Sequence, residues 1–383
     1  MTDILQDRQE PLPVSVLTGF LGSGKTTVLN HLIQQHELGR TLVLINEFGE
    51  IGLDHVLVAH SRDEVVIEMS SGCLCCTIRG DLVKTLREAP VRFVRDGRPS
   101  FDRVVIETTG LADPAPILHT LMTDAAVVER YRLDGVIATI DAVNGGATLD
   151  QQVESVKQAA VADRLLITKT DLAGDAELAR LQRRLRTLNP AAPQVITQNG
   201  AVDPESLFDA GLYDPKTKSP DVEKWLRAEA YEPGNSNNVA AQSPSWQNHA
   251  HHDHDDLNRH DAHIKALCVT IDEPIRGDAF DAWLDLLLLI RGANFLRIKG
   301  IINVVEIEEP VVIHGVQHIF HPPVTLDKWP SEDRRSRIVF ITRDIEESVL
   351  RDTLKAFRRT TGQSRDRSTA DVAGYGLDAV QVQ

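Results

Sequence analysis

The sequence predicts an α/β fold: a mostly parallel sheet with helices on both faces, followed by a smaller α+β domain. Three observations predict it. Near-continuous Val/Ile/Leu runs alternate with helical patterns through the first half, as strands buried on both faces do. A glycine-rich turn lies between the first such run and the first helical segment. A long polar stretch then separates this half from a second block of strands and helices.

The elements follow in order. PVSVLTGF, Pro13 to Phe20, is a β-rich run that ends at glycine. The next segment has Leu29, Leu32 and Ile33 at helical spacing, with Gly39 as a stop. TLVLINEFGE is a second strand running into a loop; FDRVVIETTG, LDGVIATIDA and ADRLLITKTD are the third, fourth and fifth. Helical patterns cover Arg79 to Glu88, Gln151 to Ala160 and Ala176 to Leu188. Residues 231–262 carry almost no periodic hydrophobicity and read as a linker or exposed insertion. Beyond them the order is β-α-β-β-β-α, with VVIHGVQHIFH read as one strand. The expected domains are 1–215 and 263–360, with a flexible tail over 361–383.

Composition narrows the function classes. The chain has 383 residues, of which 42% are hydrophobic and 25% charged, ordinary values for a globular protein. Its longest apolar run, Leu286 to Ile290, is far too short to cross a bilayer. The first residues, MTDILQDRQEPLP, lack the basic start and apolar core of a secretory signal. A formal charge of −15 argues against nucleic acid as a partner. A cytoplasmic protein is expected, with no membrane partner. Four cysteines make no disulfide framework, and three of them crowd into SSGCLCCTIRGDL, at Cys73, Cys75 and Cys76. In a reducing compartment such clusters are metal-binding or catalytic more often than structural.

GFLGSGKT, Gly19 to Thr26, matches G-x-x-x-x-G-K-[ST] in the context the motif requires, after a strand and before a helix. Such a loop predicts a P-loop NTPase. Gly19, Gly22 and Gly24 let the backbone approach phosphate oxygens. The amides of Ser23, Lys25, Thr26 and Thr27 then face the anion at the helix N-terminus. Lys25 adds a charge between the outer phosphates, and the Thr26 hydroxyl is placed for Mg²⁺. TKTD, Thr168 to Asp171, follows the fifth strand. The Asp171 carboxylate can accept from guanine N1–H and its 2-amino group, a donor pair adenine lacks, and the Lys169 stem can cover the base. GTP is favoured over ATP. Glu107, at the end of VVIETTG, is a candidate Mg²⁺ holder, and the Gly110 N–H a γ-phosphate contact. Alone, Glu107 would read as a strand-end surface acid. NEFGE, Asn46 to Glu50, is a candidate switch loop, with Glu47 a catalytic candidate.

Taken in order, TGFLGSGKTT, NEFGEIGLD, SSGCLCCTIRGDL, VVIETTGLADP, DGVIATIDA and LLITKTDL resemble the CobW family of cobalamin-synthesis-type GTPases. FLRIKGIINV and HGVQHIFHPP look like the C-terminal domain of that family. The resemblance implies a GTPase that binds a transition metal and delivers it to a client metalloprotein; a homodimer is a further expectation. Thr168 stands where many GTPases have Asn, which loosens the argument for loop packing.

The three thiols lie between the switch candidate and the Glu107 segment. Thiolates favour soft ions such as Zn²⁺, which takes about four ligands. C-x-C-C supplies at most three, and an incomplete set can pass its metal on. Glu50 is a further ligand candidate if the switch loop folds towards the cysteines; water or a partner's residue would serve as well. The alternatives are redox or structural thiols. Cys268, in a strand, reads as a packing residue. His249 to His263 holds six of the fourteen histidines, including His251, His252 and His254, and reads as a solvated linker or a metal-collecting segment open to Zn²⁺, Co²⁺ or Ni²⁺. His314 and His318 would fall on one face of an extended strand. Two functions remain, a GTP-driven zinc metallochaperone and a zinc-responsive regulatory GTPase that delivers no metal.

Overall fold

In a computed structural model of the chain, the described residues are 11–35, 38, 40–46, 65–68, 76–95, 98–208 and 264–362. The first sheet is built from β1 (Leu12–Gly19), β2 (Thr41–Asn46), β3 (Val65–Glu68), β6 (Arg103–Thr108), β7 (Tyr131–Asp141), β8 (Arg164–Thr168) and β9 (Gln194–Ile196). Between β3 and β6, the short strands β4 (Val94–Arg95) and β5 (Arg98–Pro99) pair only with each other. The seven strands run parallel in the order β3-β2-β6-β1-β7-β8-β9. Strands β3 and β9 extend the five read from the sequence. They have four and three residues, too few for periodicity to register.

Helices α1 (Lys25–Ile33), α2 (Cys76–Arg92), α3 (Ala115–Thr123), α4 (Ala125–Val128), α5 (Gly145–Gln151), α6 (Val153–Val161) and α7 (Asp175–Leu188) connect these strands. The helical pattern over 151–160 is broken at its start. Gln152 is extended, at φ −122° and ψ 109°, so α5 ends there and α6 begins.

The second sheet contains β10 (Ile264–Ile271), β11 (Phe295–Ile302), β12 (Val311–Val316), β13 (Ile319–Phe320), β14 (Val324–Thr325) and β15 (Ser336–Arg343). Its order is β10-β15-β11-β12-β13, with β14 also on β12, and every pair is antiparallel. The strand expected over VVIHGVQHIFH is a hairpin. Gln317 takes a left-handed φ of 55°, which an extended strand cannot contain, and Val316 pairs back onto Ile319. His314 and His318 therefore do not share one strand face.

Helices α8 (Gly277–Arg291) and α9 (Glu347–Gly362) cover one face of this sheet, where Trp283, Phe295, Phe340 and Leu350 form a core. The other face packs on the first domain. Val312, Val316 and Ile319 join Leu118 and Leu121 of α3, while Leu296 and Ile341 join Leu185 of α7. Cys268 is partly buried against the same interface, a packing residue as expected.

Candidate functional site

The site is assembled where β1, β6, β7 and β8 end. Gly24 caps α1 at φ 92°, a left-handed conformation that costs glycine little and other residues more. This turn lets α1 start at Lys25, so the helix N-terminus faces the loop. Lys25 is buried, and its Nζ donates to the carbonyls of Gly19 (3.0 Å) and Phe20 (3.3 Å). The ammonium is thus folded over the loop that Gly19, Gly22 and Ser23 form.

Thr26 and Glu107 meet: the hydroxyl donates to Glu107 Oε1 at 2.9 Å. Strands β1 and β6 are adjacent, with Leu17 paired to Glu107, which fixes this juxtaposition. A hydroxyl and a carboxylate are hard oxygen donors, the set that holds Mg²⁺ with water and phosphate oxygens completing its shell. Gly110 also reaches the loop. A Cβ there would lie 2.6 Å from the Leu21 backbone nitrogen, so only glycine fits this approach.

Thr168 fastens the loop. Its hydroxyl donates to Ser23 O at 2.7 Å, so the residue that replaces Asn still ties β8 to the phosphate loop. The Ser23 hydroxyl is 2.6 Å from Thr139 Oγ1. Lys169 has φ 56°, and its Nζ donates to Gly22 O (2.7 Å) and Asp141 Oδ2 (2.8 Å). Asp171 is exposed immediately beyond it, and Thr27 is exposed on the first turn of α1, where Gly200 packs against its backbone.

Sequence reasoning missed Asp141. Its carboxylate accepts from the Val143 and Asn144 backbone amides as well as from Lys169. Burial pushes this carboxyl up, but the donors outweigh it and hold the group below its ordinary range. The signal was present: an aspartate ending a buried strand in TIDAVN, two and three residues before amides it can cap. Gln158 was missed as well. This buried α6 side chain donates to Gly110 O (3.2 Å) and Ala112 O (3.1 Å). A glutamine among the alanines and valines of VKQAAV was its only mark in the sequence.

Two family models match this architecture. The CobW/HypB/UreG nucleotide-binding domain matches residues 13–196, and the cobalamin synthesis protein cobW C-terminal domain matches residues 264–358. The chain belongs to the CobW family. Zinc chaperone YjiA of Escherichia coli is 31% identical over 350 residues, covering 91% of this chain and 99% of that protein. Zinc-regulated GTPase metalloprotein activator 1 of Schizosaccharomyces pombe is 34% identical over 211 residues, covering 53% and 50%. The crystal structure of Zn(II)-bound YjiA GTPase superposes with a TM-score of 0.63 at 28% identity, covering 91% of this chain and 100% of that one.

The cysteine cluster is described only at its end. Cys76 is the first residue of α2. Cys73, Cys75, Glu47, Glu50, His251, His252 and His254 lie outside the described residues, as do 231–262 and 363–383. His314 is buried, and His321, on the far arm of the hairpin, donates its backbone N–H to His314 O at 2.9 Å. Among the described residues no three His, Cys, Asp or Glu side chains gather to hold a metal, and no helix is long and apolar enough to cross a membrane.

Proposed function

We propose that this CobW-family protein is a GTP-hydrolysing zinc chaperone that takes Zn²⁺ on Cys73, Cys75 and Cys76 and passes it to a client metalloprotein. The observation that carries the reading is the joining of Gly110 to the phosphate loop. Gly110 sits against Leu21, and the loop that follows it opens α3. Leu118 and Leu121 of α3 share a core with Leu82 and Leu86 of α2, the helix that Cys76 begins. A γ-phosphate contact at Gly110 therefore acts one helix away from α2, which Cys76 begins.

The residues divide the work. Lys25 and the α1 amides bind the phosphates and oppose the charge that develops during transfer, a reaction in which positioning and electrostatics dominate. Thr26 and Glu107 hold Mg²⁺. Asp171 selects guanine, while Asp141 and Gly22 fix the Lys169 ammonium so that its stem lies beside the base. The thiols hold the cargo and release it when the switch loop and Gly110 relax after hydrolysis.

Zinc affinity, measured against a competing chelator with GDP and with a non-hydrolysable GTP analogue, tests this reading. The histidines of 249–263 are replaced by asparagine in the assay so that they do not compete. Tighter Zn²⁺ with the GTP analogue, lost when all three cysteines become serine, is the expected result. Transfer to an apo client, faster with GTP than with the analogue, separates delivery from sensing. Equal zinc affinity in both nucleotide states would defeat the coupling, and absence of transfer would leave a zinc-responsive regulator.

A further inference from the structure

Helix α6 touches the loop after β6 through its middle and the C-terminal sheet through its C-terminal end. Near its middle, Gln158 Nε2 donates to the Gly110 and Ala112 carbonyls. Beside it, Lys157 Nζ donates to Asp113 Oδ2 at 2.7 Å. These three bonds hold the loop that follows β6. At its C-terminal end, the Val161 carbonyl accepts from the Arg297 guanidinium of β11. Two residues later, Asp163 accepts from Arg297 and, at 2.6 Å, from the Lys299 ammonium of the same strand. Asp163 is also tied into the first sheet, through the Val136 amide at 2.9 Å.

Lys157 and Asp113 are partly exposed, and the other side chains are buried. Asp163 is 2% exposed, Arg297 3%, Lys299 6% and Gln158 0%. Gln158 Oε1 has no hydrogen-bond partner among the described residues. A buried acceptor without a donor lowers stability, so what the amide does here is done by its nitrogen, on the Gly110 and Ala112 carbonyls. Nor does stability favour two cations on one buried carboxylate over an apolar contact of the same volume. Both arrangements fit a role in which the loop after β6 and the C-terminal sheet must report on each other.

We propose that α6 is a relay: Gln158 positions the Gly110–Asp113 loop, and the bonds of Arg297 to Val161 O and Asp163 pass any shift of that loop to β11 in the C-terminal sheet. The relay rests on the reading of Gly110 as the γ-phosphate contact. Movement of Gly110 towards a phosphate pulls Gln158, and a rigid helix carries the displacement to Val161 and hence to Arg297. By linkage, whatever binds the C-terminal sheet then alters GTP affinity by the same factor that GTP alters its binding. Gln158 is a positioning residue, since it acts through the Gly110 and Ala112 carbonyls.

Hydrogen–deuterium exchange on the full chain, with GDP and with a non-hydrolysable GTP analogue, tests the relay. Exchange over residues 295–302 is expected to differ at least about fivefold between the two nucleotides, the lower end of usual couplings. Gln158→Met and Arg297→Lys should each collapse that difference. Arg297→Lys keeps the charge on Asp163 and so guards against simple unfolding. Gln158→Met should also lower kcat for GTP roughly tenfold or more, with KM near the wild-type value. Identical exchange with both nucleotides in the wild type overturns the relay. So does a difference that survives in both variants, which would place the route along α3. Wild-type hydrolysis by Lys25→Ala is a separate outcome and would defeat the nucleotide reading itself.

Discussion

The Thr26 hydroxyl donates to Glu107 Oε1 across 2.9 Å, joining the first turn of α1 to the end of β6. The two residues are 81 positions apart in sequence, and adjacent parallel strands bring them together. Replacing Glu107 with Gln keeps the shape and removes the charge. Single-turnover GTP hydrolysis should slow about 100-fold, the scale for one group of a preorganised site. The Mg²⁺ concentration for half-maximal rate should rise with it. An unchanged Mg²⁺ dependence would remove Glu107 from this role.

Base selection rests on Asp171. Asp171→Asn should weaken GTP by about 1.5–3 kcal/mol or more, the worth of one hydrogen bond to a charged group. Xanthosine triphosphate should bind the variant better than the wild type, because its 2-position carries an oxygen that suits an amide donor. Nucleotide titrations of both proteins check this, and equal ATP and GTP binding by the wild type would end the guanine reading.

Thr168 should act through its hydroxyl alone. Thr168→Val loses the bond to Ser23 O and should lower stability by about 1 kcal/mol, with a similar loss in GTP affinity. Thr168→Ser keeps the donor and should remain near wild type. Equal behaviour of the two variants in urea melts and nucleotide titrations would show that the bond contributes nothing.

Asp163 joins the two domains. Asp163→Ala leaves Arg297 and Lys299 buried without their carboxylate, and should cost about 3–5 kcal/mol in a urea melt. A loss below about 1 kcal/mol would mean that water reaches these cations.

His314 gives the C-terminal domain a pH dependence. Burial, then the Lys299 and Arg297 charges, hold this imidazole well below its ordinary value; Asp163 opposes them and His321 adds to them. Below about pH 6.5 the unfolded chain therefore binds a proton that the folded chain refuses. Stability from this group is complete above that pH and falls as pH drops, by up to about 1.4 kcal/mol per unit. His314→Gln should flatten the slope between pH 6.5 and 5 in urea melts. An unchanged slope would mean that His314 protonates inside the fold.

The sequence by itself determined the phosphate loop, the order of the main strands and the division into two sheets. These are local matters. A glycine turn with lysine and threonine at fixed offsets, and runs of β-branched residues, express their physics within a few positions. Tertiary structure decided what joins distant segments. FLRIKGII alternates charge and apolar residue as a half-solvated strand does, yet Arg297 and Lys299 are buried beneath Asp163, 134 and 136 positions away. Asp141 looks like an ordinary strand-end acid until Lys169 folds onto it. The hairpin that separates His314 from His318 depends on one left-handed residue, Gln317, that no periodicity announces. Sequence patterns report how a side chain meets solvent or its near neighbours. Which charge ends beside which carboxylate depends on how the second sheet docks on α3, α6 and α7, and no local pattern encodes that docking.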